Sequence, residues 1–252
     1  MIGQNTIKFI KSLNLKKNRQ LNKKVILEGY RLIVESINAG TKIDYIIINE
    51  TFQKELLNLK EFKNQIIKSS STSNFNKISN TKNSQGIIAI ADIQKYFNQS
   101  LQNINNENII ILDGIQDPGN LGTILRTCIW YGIQSIILTE NTIDPFNLKC
   151  IRSGMGAHFY LNNIIQDNHI NVLKYLKNNY KTIYVADMKG NDLEKIKPSN
   201  NWALILGSEA HGVNNDFKQF NQITINKIGK MESLNVSVAA GIIINKLINN
   251  EF

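Results

Sequence analysis

The chain reads as an α/β protein in which a small amino-terminal α/β domain precedes a larger domain built on a mostly parallel sheet. Three observations predict this. Short apolar runs, among them the β-branched Ile109–Leu112 and also Ala203–Leu206, have strand length and recur between segments of helical spacing. Such alternation favours parallel strands covered by helices. A polar, weakly patterned stretch from Ile93 to Asn108, with Gln94, Asn98, Gln99, Gln102, Asn103, Asn105 and Asn106, separates two such series and reads as a linker. The expected partition is therefore 1–92, 93–108 and 109–252. A length of 252 residues with 42% apolar content suffices for real cores.

The first domain opens on a basic helical stretch, Ile7 to Lys24. Its Lys8, Lys11, Lys16, Lys17, Arg19, Lys23 and Lys24 form either a solvated face or a phosphate-contacting one. Val25–Glu28 then reads as a strand, Tyr30–Asn38 as an amphipathic helix stopped at Ala39-Gly40, and Tyr45–Ile48 as a second strand. Gln65–Lys68, a short helix Phe75–Ser79 and a closing strand Gly86–Ala91 complete it.

In the second domain Ile109–Leu112, bounded by Asp113 and Gly114, is a buried strand. Asp117, Pro118, Gly119 and Asn120 turn the chain into a helix beginning near Asn120, with Leu121, Ile124, Leu125, Cys128 and Ile129 as its apolar face. Asn120 and Arg126 fall just beyond the carboxyl end of a strand, where open α/β sheets place their ligands. Read alone, they are better taken as a capping amide and a solvated guanidinium. Ser135–Leu138 is a strand, His169–Asn178 a helix, Thr182–Ala186 a strand and Lys189–Ser199 a polar connection. Ala203–Leu206 meets Gly207 and delivers Ser208 and Glu209 at its end. After the strand-like Gln222–Ile225, the stretch Met231–Leu247 begins with Ser233, Asn235 and Ser237 and continues apolar on nearly every face, which argues for burial. Ser233 is its expected N-cap.

With 29 Lys+Arg against 20 Asp+Glu the net charge is +9, which favours a polyanionic partner, although a chain-wide Ile, Asn and Lys bias supplies part of it. Cys128 and Cys150 read as reduced, buried or half-buried thiols, and the scattered His158, His169 and His211 with no HExxH or CxxC argue against a metal site. Gly154 and Gly156 give a GxG without the third glycine or a preceding strand, so a Rossmann fingerprint is rejected, and no Walker A sequence occurs. No run reaches the length of a membrane span or a signal-peptide core, and the expected location is cytoplasmic.

Three stretches, in order and spacing, resemble the signature motifs of the SpoU (TrmH) family of RNA ribose 2'-O-methyltransferases, within the SPOUT class. They are Asn120-Leu-Gly-Thr-Ile-Leu-Arg126-Thr127, Leu206-Gly207-Ser208-Glu209-Ala-His-Gly212 and Ser233-Leu234-Asn235-Val236-Ser237. The resemblance is strong from Ile109 to Leu247. Residues 1–92, through Leu27–Leu32 and Gln85-Gly86-Ile87, are similar to the L7Ae/L30e-like substrate-binding domain of the rRNA-modifying members. The resemblance implies a deep trefoil knot in the carboxyl-terminal domain and S-adenosylmethionine enclosed by Leu206, Gly207, Ile225, Leu234 and Asn235, with Leu138. It implies that Arg126 faces the ribose 2'-hydroxyl, assisted by Asn120, Glu209, Ser233 and Asn235, that Arg31, Lys149 and Arg152 contact RNA, and that the protein is a homodimer. The chain departs from the pattern at Asn226-Lys227, where the family usually has proline. The family gives Arg126 the role of general base; a guanidinium holds its proton near neutral pH, so the alternative is phosphate binding and stabilisation of the developing alkoxide. The implied substrate is a specific nucleotide of large-subunit rRNA, with tRNA or a non-catalytic role in ribosome assembly as the alternatives.

Overall fold

A computed structural model describes residues 2–53, 57, 60–105, 107–198 and 200–249. Asn106 in the expected linker, Ser199 in the polar connection and residues 250–252 lie outside the described residues. Contacts group the chain into two compact units: Met1–Asn98 with Phe146–Tyr160, and Gln99–Pro145 with Leu161–Phe252.

The first unit holds strands β1 (Lys24–Glu28), β2 (Ile43–Asn49), β3 (Ile67–Ser70) and β4 (Ile87–Asp92) in the order β1-β4-β2-β3. β4 is antiparallel to both neighbours, while β2 and β3 run parallel. Ile26, Ile47, Ile88 and Ile90 project from the sheet into one core with Ile7, Ile10 and Leu13, which explains why the amphipathic amino terminus folds down on it. The basic stretch is two helices, α1 (Gln4–Ser12) and α2 (Lys16–Asn22), broken at residues 13–15 and ended by Lys23 in the left-handed conformation. Arg19 does not fit a phosphate-contacting face. It is buried, and its Nη1 donates to the carbonyls of Leu13 and Asn14 at 2.9 and 2.8 Å, closing the break between the two helices. Lys24 is likewise engaged, with its Nζ 2.8 Å from both Asp44 and Asp92. α3 (Tyr30–Asn38) and α4 (Thr72–Asn76) complete the segment.

Residues 146–160, which the sequence assigns to the second domain, pack with the first unit. They form α6 (Leu148–Ser153) and α7 (Ala157–Tyr160). Leu148 joins the isoleucine core, the Phe146 ring lies 5.2 Å from that of Tyr96, and the Tyr160 hydroxyl donates to Glu35 at 3.0 Å. Gly156, at φ +82°, sits against Leu32, Glu35 and Ser36 of α3.

The second unit holds a six-stranded parallel sheet of order β10-β8-β9-β5-β6-β7. Its strands are β5 (Ile109–Asp113), β6 (Ser135–Thr139), β7 (Asn163–Asp167), β8 (Thr182–Asp192), β9 (Trp202–Gly207) and β10 (Asn221–Thr224). β5 is buried along its whole length because it pairs on both edges and is apolar at every position but its last. From β5 the chain winds outward through β6 and β7, then returns on the other side through β8 and β9. The carboxyl ends of β5 and β9 therefore lie at the point where strand order reverses, the place where such sheets open a crevice. β8 runs past the expected Ala186 and carries a register shift against β10, from Val185 opposite Gln222 to Asn191 opposite Ile223. Gly190 sits where any Cβ would collide with the backbone of Gln222 and Ile223.

α5 (Pro118–Trp130) buries Leu121, Ile124, Leu125 and Cys128, α8 (His169–Asn179) buries Val172 and Leu176, and α9 (Val236–Asn249) packs on α5 and β9. The expected linker is no plain spacer: Tyr96 is buried in the first unit, and Leu101 and Ile104 in the core of the second. α9 is not buried all round. Val236, Ala240, Ile243, Ile244 and Leu247 face inward, whereas Val238 and Ile242 are 51% and 40% exposed. Among the described residues no helix is long and apolar enough to cross a membrane.

Candidate active site

The first motif is positioned by capping chemistry. Asp117, not Asn120, caps α5: its side chain accepts the Asn120 N–H at 2.8 Å, and Pro118 takes the first helical position, where its missing N–H costs nothing. Asn120 is thereby the third residue of the helix, and its amide points out of the turn.

The second motif is a tight hairpin at the end of β9. Ser208 and Gly212 exchange two backbone hydrogen bonds, at 3.1 and 2.8 Å, and Ser208 Oγ accepts the His211 N–H. Gly212 takes φ +67°, and a Cβ on Gly207 would collide with the backbone of Gly212 and Val213, so both glycines are demanded by the fold. Glu209 is left at the exposed tip.

The third motif meets the other two at the start of α9. The helix begins at Val236 and its cap is Asn235, correcting the expectation of Ser233: Asn235 Oδ1 accepts from the Ser237 N–H at 2.9 Å and the Ser237 hydroxyl at 2.6 Å. Ser233 lies two residues upstream, exposed. Asn235 Nδ2 donates to Asn120 Oδ1 and to Glu209 Oε1, both at 2.9 Å. Glu209 Oε1 also accepts from Asn120 Nδ2 at 3.1 Å and from the Val236 N–H at 3.1 Å. Each amide donates and accepts in a consistent sense, so the three side chains form a closed triangle. The carboxylate also neutralises one of the open N–H groups, and part of the dipole, at the head of α9.

The remaining candidates fall in different surroundings. Arg126 is exposed on α5, six residues beyond Asn120, and makes no side-chain hydrogen bond among the described residues. Leu138 and Leu206 are buried in the sheet as ladder neighbours of Leu112, on either side of it. Gly207 and Ile225 are half-buried and Leu234 is 48% exposed. Between Ile225 and Asn235 the chain adopts neither helix nor strand and exposes Ile228, Met231 and Leu234. Unpaired backbone beside accessible apolar side chains suits a ligand with an aromatic base and polar edges. Arg31, Lys149 and Arg152 belong to the first unit. Arg31 and Lys149 are exposed, and Arg152 borders a small cleft with Ile26, Glu28, Leu32, Asn80 and Leu148.

Two features escape a sequence reading. Asp113, the last residue of β5, is a buried carboxylate that accepts from the Thr139 hydroxyl at 2.8 Å and the Asn214 N–H at 2.6 Å. In the sequence it is merely the polar residue ending an apolar run. His169, at the start of α8, places Nδ1 2.7 Å from Glu140 and Nε2 3.7 Å from Asp216. The hydrogen bond to Glu140 raises its pKa above the ordinary histidine value.

Comparison with known proteins adds the following. Residues 107–245 match the SpoU rRNA Methylase family, and residues 4–89 match the MRM3-like substrate binding domain. The chain is 34% identical over 206 residues to an uncharacterized tRNA/rRNA methyltransferase of Borreliella burgdorferi, covering 76% of this chain and 90% of that one. It is 28% identical over 244 residues to the 23S rRNA (guanosine(2553)-2'-O)-methyltransferase RlmP of Bacillus subtilis, covering 96% and 95%. An AdoMet-bound rRNA methyltransferase from Sinorhizobium meliloti superposes with a TM-score of 0.83 at 25% identity, covering 98% of this chain and 95% of that one.

Proposed function

The chain belongs to the SpoU rRNA methylase family, and from that premise we propose that it methylates the ribose 2'-hydroxyl of a specific nucleotide in large-subunit rRNA, in the cytoplasm, as a homodimer. It is an S-adenosylmethionine-dependent RNA methyltransferase. The observation that carries the finer reading is the Asn120–Glu209–Asn235 triangle, which draws the three motifs to one point at the switch of the parallel sheet. The relative of known specificity, aligned over nearly its whole length, acts on 23S rRNA. Cys128 and Cys150, both buried and joined in no disulfide, suit a reducing compartment.

Bound S-adenosylmethionine supplies an already activated methyl group. Leu206, Gly207, Ile225, Leu234 and Asn235 would hold it, with Leu138 buried behind them. What the chain must add is alignment of the acceptor hydroxyl and management of its proton. Glu209 Oε1 is met by three donors, so this oxygen anchors the site. Arg126 is the exposed cation on the same helix as Asn120. It binds the phosphate next to the target ribose and offsets charge developing on the 2'-oxygen. Ser233, exposed just before the cap, faces the incoming nucleotide, while Arg31, Lys149 and Arg152 hold RNA phosphates. The carboxyl-terminal segment that brings Asn235 back to Glu209 is threaded as a trefoil knot.

The homodimer reading rests on apolar side chains left uncovered on the packed pair α5 and α9: Trp130 of α5 is 83% exposed, and Val238 and Ile242 of α9 are 51% and 40% exposed. Light scattering at micromolar concentration should give twice the monomer mass; a monomer refutes it. The function itself is tested by methyl transfer from labelled S-adenosylmethionine to total rRNA and, separately, total tRNA taken from cells lacking the protein. Label in rRNA alone is expected. Label in tRNA alone overturns the substrate, and absence of both label and cofactor binding favours an assembly factor.

A further inference from the structure

We propose that Asp113 is a positioning residue of this enzyme, clamping the hairpin that presents Glu209; the inference rests on the methyltransferase reading above. Asp113 is 7% exposed, and a carboxylate so placed must be compensated by hydrogen bonds. Its partners identify what it holds. In the ladder it stands opposite Gly207, the residue from which the hairpin departs. Its Oδ2 accepts the N–H of Asn214, two residues past Gly212, at 2.6 Å. Both ends of the Gly207–Asn214 segment are thus tied to one residue of the neighbouring strand, and Glu209 is suspended between them. Val213 is buried between the same two points, so the hairpin cannot pivot about its exit. The other oxygen accepts from Thr139 Oγ1 at 2.8 Å, which in turn accepts the Gly114 N–H at 3.2 Å. Through that second link the clamp also fixes the start of the loop running from β5 to Asp117 and Asn120. One buried carboxylate therefore sets the relative height of the first and second motifs, and Glu209 passes that placement on to Asn235.

A carboxylate is suited to this where a neutral acceptor is not. Charge-assisted bonds to backbone N–H groups are shorter and stronger than neutral ones, and two oxygens allow both arms to be held at once. Asp113→Asn keeps the shape but leaves only one acceptor oxygen.

The test is a steady-state methyl-transfer assay on the purified full chain, using unmethylated rRNA, with Asp113→Asn, Glu209→Ala and the double variant. Ser135→Ala is the control: at the far end of β6 from Thr139, Ser135 Oγ donates to Glu107 at 2.5 Å and accepts from Asn163 Nδ2 at 2.9 Å, so the change removes hydrogen bonds of a buried side chain without touching Asp113, Thr139 or Gly114. Asp113→Asn is expected to lower kcat about tenfold with KM for S-adenosylmethionine changed less than about threefold. In the Glu209→Ala background the same substitution should cost less than about twofold, because the hairpin no longer has a group to place. Equal losses in both backgrounds, or a loss no greater than that of Ser135→Ala at matched Tm, overturn the proposal. If Asp113→Asn does not fold, Asn214→Pro deletes the donor instead. Asn214 has φ −55°, which proline adopts, and the same pattern is expected. Absence of transfer by the wild type refutes the rRNA-substrate reading, and hydrogen exchange then decides for the clamp. Faster exchange across residues 208–214 in Asp113→Asn supports it, and unchanged exchange overturns it.

Discussion

Glu209 offers the sharpest perturbation, because a single oxygen gathers donors from all three sides of the site. Replacing it with alanine removes an acceptor shared by Asn120 Nδ2, Asn235 Nδ2 and the Val236 N–H. Hydrogen bonds to a charged group are worth about 1.5–3 kcal/mol when desolvated. Glu209 and both asparagines are accessible to water, so we discount each bond to about 1 kcal/mol, giving about 3 kcal/mol for the set. If that interaction energy orders the site in the transition state, turnover falls by about a hundredfold, at about 1.4 kcal/mol per factor of ten. The loss of global stability should be smaller, about 1 kcal/mol, since water replaces the carboxylate in the unreacted protein. Glu209→Gln retains an acceptor in the same place and forfeits only the charge, so about a tenfold loss is expected. The assay is label transfer to unmethylated rRNA beside thermal melting of each variant. Glu209→Ala working at more than a third of the wild-type rate while folded would show that the triangle orders nothing the chemistry needs.

The other predictions follow from single observations. Arg126→Ala should leave Tm within about 2 °C, because the side chain is exposed and makes no side-chain hydrogen bond among the described residues, while methyl transfer is lost; activity within twofold of wild type removes Arg126 from the site. Gly207→Ala forces a Cβ into the backbone of Gly212 and Val213, at a cost of about 1–3 kcal/mol, so Tm should fall by about 3–10 °C and activity with it. His169 has its pKa raised, chiefly by the hydrogen bond to Glu140, so its contribution is full below the unfolded-state pKa and fades as pH rises through the folded one. The Tm gap between wild type and His169→Gln should therefore be larger near about pH 6 than near about pH 9, and a gap that widens with pH contradicts the assignment.

Most strands were legible because buried parallel strands announce themselves as short continuous apolar runs, and Ile109–Leu112 and Ala203–Leu206 lie where their composition puts them. Local rules misplace what is decided by competition between neighbours. Asp117 and Asn120 are both good caps, and the chain uses the one that Pro118 follows; Ser233 and Asn235 are both good caps, and helix α9 starts at the later one. In each case the asparagine's amide was freed for, or fixed in, the triangle by a choice that only hydrogen-bond geometry reveals. Arg19 and Asp113 were invisible for a related reason. Nothing in their sequence neighbourhoods distinguishes a buried charge meeting backbone groups from one facing water. The helices of residues 146–160 escaped because a six-residue and a four-residue helix are too short to display a periodicity.

The triangle joins residues 89 and 115 positions apart along the chain. A nascent polypeptide lacking α9 has no Asn235 to complete it, however well the earlier strands have formed. Catalytic competence therefore arrives all at once, when the head of α9 emerges from the ribosome. An enzyme whose proposed substrate is that machine's own RNA is silent until Asn235 has left it.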